Sequence, residues 1–240
     1  MLRIDKYLAD CGIGTRSEVK KYIKAKQITI NGEVATKPEQ KIDENVDEVC
    51  FKGQPITYEK YVYYLIHKPS GCVTAKQDNV HKTVMEYFPE DIRAKDIAPV
   101  GRLDLDTEGL LLFTNDGPLT HHLLSPTHHI PKTYYAVLDK EVPVTAVDLF
   151  KEGVDIGDDK LTLPAELVIL PEVVDCDGNT VYSAELTIHE GRFHQVKRMF
   201  EAVGCTVTYL KRLSMGSLEL GDLQKGEYRK LSGEEINMLK

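Results

Sequence analysis

The chain has 240 residues, 42% of them apolar and 28% charged, with a mean hydropathy of −0.29. That is enough apolar material to bury a core in one or two domains, and it excludes a disordered or membrane-embedded chain. Thirty basic and 38 acidic residues give a net charge of −8, which taken whole argues against a nucleic-acid partner. The distribution argues otherwise. Residues 1–37 carry eight basic side chains (Arg3, Lys6, Arg16, Lys20, Lys21, Lys24, Lys26, Lys37) and four acidic ones, a net +4 against −12 for the remainder. A basic head on an acidic body fits a docking surface or a solvated helix face, and charge alone does not choose between them. Five cysteines, odd in number and never in a Cys-x-x-Cys pair, argue against a disulfide framework or a structural zinc site. With the charged start Met1–Lys6, they lead to the expectation of a cytoplasmic protein without a secretory signal.

In chain order, Arg3–Ala9 shows helical spacing in Ile4, Tyr7 and Leu8, broken by Gly12 and Gly14. Thr15-Arg16-Ser17-Glu18 has capping-box spacing and predicts a second helix. That helix keeps Val19, Tyr22 and Ile23 for a core, while Arg16, Lys20 and Lys24, four apart, share another face. Ile28-Thr29-Ile30, Asn31-Gly32 and Val34 spell a hairpin. Thr57–Lys60 reads as a linker, giving domains of residues 1–57 and 61–240. Beyond it, strands are expected at Tyr61–Ile66, Leu110–Phe113, Lys132–Leu138, Leu167–Leu170, Val181–Ile188 and Thr206–Leu210, and helices at Thr83–Tyr87, Val144–Glu152 and His194–Val203. Asp175–Asn179 is a hairpin tip. Strands and helices do not alternate regularly, so the expected class is α+β: a small helix-helix-hairpin module, then a larger, mixed but mainly antiparallel sheet with flanking helices.

Three segments carry chemistry. Gly101-Arg102-Leu103-Asp104-Leu105-Asp106-Thr107-Glu108-Gly109 is an acidic loop before an apolar run. It imitates the start of a calcium loop, but position twelve is Asn115 where a bidentate Glu is required, and Leu110–Phe113 supply no side-chain oxygens. What remains is a carboxylate on an irregular segment beside a rigid strand, where catalytic groups are commonly held. Gly191-Arg192-Phe193-His194-Gln195-Val196-Lys197-Arg198-Met199-Phe200 opens a helix with two cations in its first turn. There they oppose the helix dipole unless an anion answers them. Lys132-Thr133-Tyr134 starts a strand, where a tyrosine is ordinarily core packing. His121, His122, His128 and His129 sit in adjacent pairs, without the i, i+4 facing of helical metal ligands, and read as polar loop histidines.

Gly12–Glu18 with Ile28–Gly32 resembles the RNA-binding module named after the fourth small-subunit ribosomal protein. Gly101–Asp104, Asp106–Leu112, Thr114–Gly117, Lys132–Tyr134 and the Gly191–Phe200 segment together are similar to the RsuA branch of the pseudouridine synthases, over nearly the whole chain. The resemblance implies conversion of a uridine in folded ribosomal RNA to pseudouridine, on an extruded nucleotide and without metal or cofactor. It implies Asp104 as the reacting carboxylate and Lys197 as its basic partner, with Arg198 in reserve because the sequence admits a slip of one position. Tyr134 would stack on the uracil and Arg102 would fill the vacated place in the RNA stack. Gly101, Gly191, Arg192 and Arg198 would join it in holding substrate, and Arg3, Arg16, Lys20, Lys21 and Lys24 would meet phosphates. His67, before Lys68-Pro69-Ser70-Gly71, departs from the asparagine usual in the family and is expected to support that turn. The implied partner is 16S rRNA, free or in an assembly intermediate, met by a monomer. Relatives acting on 23S rRNA and a catalytically silent assembly factor are the alternatives.

Overall fold

In the computed structural model, which describes residues 1–240, the Thr15–Glu18 spacing closes as a capping box. Glu18 N–H donates to Thr15 Oγ1 at 3.3 Å and Thr15 N–H to Glu18 Oε2 at 2.8 Å. The chain divides into two units, Met1–Val62 with Pro89–Ile97, and Tyr63–Phe88 with Ala98–Lys240. Pro89–Ile97, expected within the second domain, belongs to the first unit.

The first unit contains β1 (Leu2–Arg3), α1 (Ile4–Asp10), α2 (Arg16–Lys24), β2 (Ile28–Ile30), β3 (Glu33–Val34), β4 (Lys41–Ile42), β5 (Val49–Phe51), β6 (Gln54–Ile56) and the short α3 (Glu90–Arg93). Ile4, Tyr7, Leu8, Val19, Ile23, Ile28 and Ile30 are buried together as its core. Asn31 and Gly32 turn the β2–β3 hairpin with φ of 51° and 84°, the left-handed pair this turn demands. Lys52 and Gly53 repeat those angles at 51° and 80° to make a second hairpin, β5–β6, which extends the sheet to β3-β2-β5-β6. Arg16, Lys20, Lys21 and Lys24 are exposed along α2. Arg3 is ion-paired within its own segment. Its Nε and Nη2 donate to the buried carboxylate of Asp5 at 3.0 and 2.9 Å, so its charge is already answered.

The second unit is built on a ten-stranded sheet of β7 (Tyr63–Lys68), β8 (Ala98–Pro99), β9 (Glu108–Thr114), β10 (Lys132–Leu138), β11 (Glu166–Ile169), β12 (Val173–Val174), β13 (Thr180–Ile188), β14 (Val207–Met215), β15 (Leu218–Glu219) and β16 (Tyr228–Lys230). Its main order is β11-β13-β10-β14-β9-β7-β16. Every residue of β7 and β9 is buried, as continuous apolar runs covered on both faces should be. β14 runs parallel to β9 with Arg212 opposite Gly109, while the other ladders are antiparallel. A side chain at Gly109 would collide with the Arg212 backbone, so that glycine permits the parallel approach.

The helices are α4 (Gly117–Leu124), α5 (Thr145–Glu152), α6 (Gln195–Ala202) and α7 (Gly233–Met238). α6 buries Val196, Met199 and Phe200, and Phe200 meets Phe150 of α5 with ring centroids 5.7 Å apart. The helix expected at Thr83–Tyr87 is a 3-10 turn over Val84–Tyr87 capped by Thr83. The strand expected at Thr206–Leu210 continues to Met215. No helix is long and apolar enough to cross a membrane.

Candidate active site

One ammonium, bonded to three carbonyls of the loop and one of the turn beside it, holds the loop that carries Asp104. Lys68 ends the apolar strand β7 with no exposed surface. Its Nζ donates to the carbonyls of Thr107 at 2.8 Å, Asp104 at 2.9 Å, Pro69 at 3.1 Å and Leu105 at 3.4 Å. A buried ammonium is tolerated only with such a shell, and burial still pushes the Lys68 pKa below its ordinary value. On the other side Thr74 both receives a hydrogen bond from Leu103 N–H (3.1 Å) and donates one to Leu103 O (2.9 Å). Gly101 begins the loop with φ of 80°. The residues around Asp104 are therefore fixed by backbone bonds, leaving the carboxylate free to act.

That carboxylate is partly exposed at the mouth of a cavity of about 820 Å³, lined by Gly101, Arg102, Tyr134, Gly191, Arg192 and Lys197 among others. Such a volume accommodates a nucleotide. Lys197, on the first turn of α6, places Nζ 3.5 Å from Asp104 Oδ2. The same Nζ donates to both oxygens of Asp106, at 2.7 and 2.8 Å. Burial raises the Asp106 pKa, but the hydrogen bond and charge of Lys197 outweigh it and leave that carboxyl below its usual range. One cation thus answers two carboxylates, and the helix start acquires the anions that its dipole and two basic side chains require.

Arg198 is turned away. Its guanidinium bonds Asp158 Oδ1 at 2.6 Å, Phe193 O at 3.1 Å and the Ile156 carbonyl, outside the cavity. This corrects both of its assignments, as reserve partner of Asp104 and as substrate contact. Neighbours on a helix point about 100° apart, so only one of the pair can face the loop. Arg192 reaches the cavity wall, but its guanidinium is spent on Glu190 (2.9 Å) and the carbonyls of Lys160 and Leu161 (both 2.7 Å). It holds the 158–161 loop and offers little to a ligand. Arg102 is exposed at the rim. Tyr134 is buried on β10 and contributes to the cavity wall.

Side chains without a chemical role in the sequence reading also enter the site. His194 sits before α6 in the left-handed region (φ 48°, ψ 33°), with Nε2 3.6 Å from Asp104 Oδ1. Its ring stacks on the exposed Phe193 with centroids 3.8 Å apart. A charged residue ending a buried apolar strand was the available signal for Lys68. Arg212 lines the cavity floor at 2% exposure, and nothing in its period-2 strand marked it. Glu108, third acid of the calcium-like spacing, is a buried strand residue bonded to Lys225 (2.9 Å) and Tyr209 (2.7 Å). His67 braces the segment after β15 through Nδ1 and the carbonyl of Leu223 at 2.7 Å. His128 bonds the carbonyl of His122, with their rings 4.1 Å apart.

A nucleotide-sized cavity holding a carboxylate, an ammonium and an aromatic wall, on a chain whose other unit presents a basic helix, describes an enzyme that works on one nucleotide of a polyanion. Residues 62–202 match the family model described as RNA pseudouridylate synthase, and residues 2–47 that of the S4 domain. The chain belongs to the RNA pseudouridine synthase family. It is 43% identical over 240 residues to the "Uncharacterized RNA pseudouridine synthase YtzG" of Bacillus subtilis (strain 168), covering 99% of this chain and 98% of that one. It is also similar to proteins named "Ribosomal small subunit pseudouridine synthase A": 40% identical over 238 residues in Pasteurella multocida (strain Pm70) and 37% over 238 residues in Escherichia coli (strain K12), covering 98% of both chains in each case. A solved structure titled "Crystal structure of pseudouridylate synthase" matches over 100% of both chains with a TM-score of 0.67 and 37% identity.

Proposed function

We propose that this chain isomerises one uridine of 16S rRNA to pseudouridine, as a cytoplasmic monomer acting on free rRNA or an assembly intermediate, with Asp104 as the reacting carboxylate. The observation that carries the proposal is the Lys197 ammonium 3.5 Å from Asp104 at the cavity mouth. An ammonium at that distance compensates the charge of a carboxylate set at the edge of a pocket and helps to orient it toward a ligand. The names of the small-subunit relatives favour 16S over 23S rRNA.

The reaction conserves atoms. The N1–C1′ bond breaks, the base turns, C5 bonds C1′, the C5 proton leaves and N1 gains one. Extruding the nucleotide costs a few kcal/mol, and a base stacked on Tyr134 recovers about 1–3 kcal/mol. Arg102, exposed at the rim, replaces the base in the RNA stack, and Gly101 and Gly191 keep the cavity walls free of side chains there. Arg16, Lys20, Lys21 and Lys24 neutralise phosphates on the first unit. Modification mapping of both rRNAs from cells with and without this protein tests the reading. One pseudouridine missing from 16S rRNA is expected. A site missing from 23S rRNA moves the target, and unchanged maps remove the assignment.

A further inference from the structure

Arg212 is the most deeply buried cation facing the cavity, and its charge is unanswered. Its Nε donates to Leu110 O at 2.8 Å, while its Nη2 has no partner and no carboxylate pairs with it. A guanidinium stays protonated even when buried, so a fold that hides one without an anion leaves a large penalty standing. Lys132, also on the cavity wall, adds a second cation. Burial and the charge of Arg212 push its pKa down, and its Nζ is met by the Ile130 carbonyl at 2.9 Å. The carboxylates Asp104 and Asp106 are engaged at the mouth with Lys197. The floor is electropositive and incomplete without an occupant.

The occupant follows from position. Arg212 stands directly opposite Tyr134 across the β10–β14 ladder, and both line the cavity. A nucleotide entering base first leaves its sugar-phosphate at the mouth, near exposed Arg102, and brings the edge of the base stacked on Tyr134 to the floor. We propose that Arg212, supported by Lys132, holds a carbonyl oxygen of the extruded uracil and stabilises the negative charge that develops there. This rests on the pseudouridine synthase reading. Three roles are open to Asp104, and all place charge on the uracil oxygens. If Asp104 attacks the sugar or removes a sugar proton, the N1–C1′ electron pair leaves with the base and spreads onto O2 and O4. If it adds to the base, an enolate forms at O4. A donor set in advance where that charge appears is worth a large rate factor.

The test uses the full-length protein and an RNA fragment carrying the mapped uridine, beside the same fragment with an abasic site there. Arg212→Gln should slow single-turnover conversion about 100- to 1,000-fold. Its affinity for the abasic RNA should match wild type, with partial recovery of rate in Arg212→Lys. Lys132→Met should slow conversion about tenfold, and it decides the matter if the Arg212 variants do not fold. A folded Arg212→Gln protein within threefold of the wild-type rate, or an unchanged rate for Lys132→Met where that variant decides, overturns the proposal. So does an equal loss of affinity for both RNAs, which would mark a phosphate contact. A wild-type protein that converts no uridine removes the reaction itself, whereas an active wild type with indifferent variants removes only this role.

Discussion

The Nζ of Lys68 lies 2.9 Å from the carbonyl oxygen of Asp104, so the most buried ammonium of the second unit holds the backbone of the reacting residue. It reaches three further carbonyls in the same turn and loop, leaving the Asp104 side chain as the part free to meet a ligand. Removing it should cost about 1–3 kcal/mol for each carbonyl left dry. Lys68→Met is therefore expected to lower the melting temperature and slow the reaction together, by at least tenfold in single turnover. A variant as fast as wild type would show that the cage does not position Asp104.

Lys197 and Arg198 are neighbours with separate duties. Lys197→Met should slow the reaction about 100- to 1,000-fold at an unchanged melting temperature. Arg198→Met loses the bonds to Asp158 and the Phe193 carbonyl and should lower the melting temperature slightly, with a rate within a few-fold of wild type. The reverse pattern would exchange the two roles.

The stripe on α2 is tested by salt. Replacing Arg16, Lys20 and Lys24 together should weaken RNA binding and flatten the slope of log affinity against log salt by up to about three units, near one per phosphate contact. An unchanged slope would make the stripe a solvated face.

Acid should loosen the end of the second unit. Glu235 of α7 accepts from Arg229 at 2.6 and 2.8 Å, and this hydrogen bond leads in lowering its pKa to about 2 from 4.5. A carboxyl with a depressed folded pKa contributes stability above its unfolded value and loses it as pH falls through the folded one. Arg229 is 39% exposed, so the contribution is held to about 1 kcal/mol by solvent screening. Urea unfolding should find Glu235→Gln less stable than wild type by that amount at pH 7, with the gap closing between pH 4.5 and 2. A gap independent of pH would contradict this.

Much of this was legible in residue order where local physics decides. The Thr15 box, the Asn31-Gly32 turn and the apolar run of β9 each follow from a cap, a left-handed pair or a strand buried on both faces. What tertiary contact decides was not legible. Lys52 takes the left-handed conformation without the Asn or Asp that announces it. The choice between Lys197 and Arg198 depends on where the 101–107 loop and the 155–161 segment fall beside α6. The pairing of Arg3 with Asp5 depends on the burial of that carboxylate, which residue order does not show. Arg212 reads as an ordinary strand residue, and only its unpartnered Nη2 at the wall of the cavity, with no carboxylate beside it, reveals its charge as unanswered.

The most direct measurement is rRNA modification mapping in cells whose sole copy of the protein carries Asp104→Asn, paired with the affinity of the purified variant for the target RNA. The substitution keeps the size of the side chain and removes its charge. No pseudouridine at the target, with RNA affinity within a few-fold of wild type, is the expected result. A fully modified target would contradict the assignment of Asp104 and the chemistry built on it.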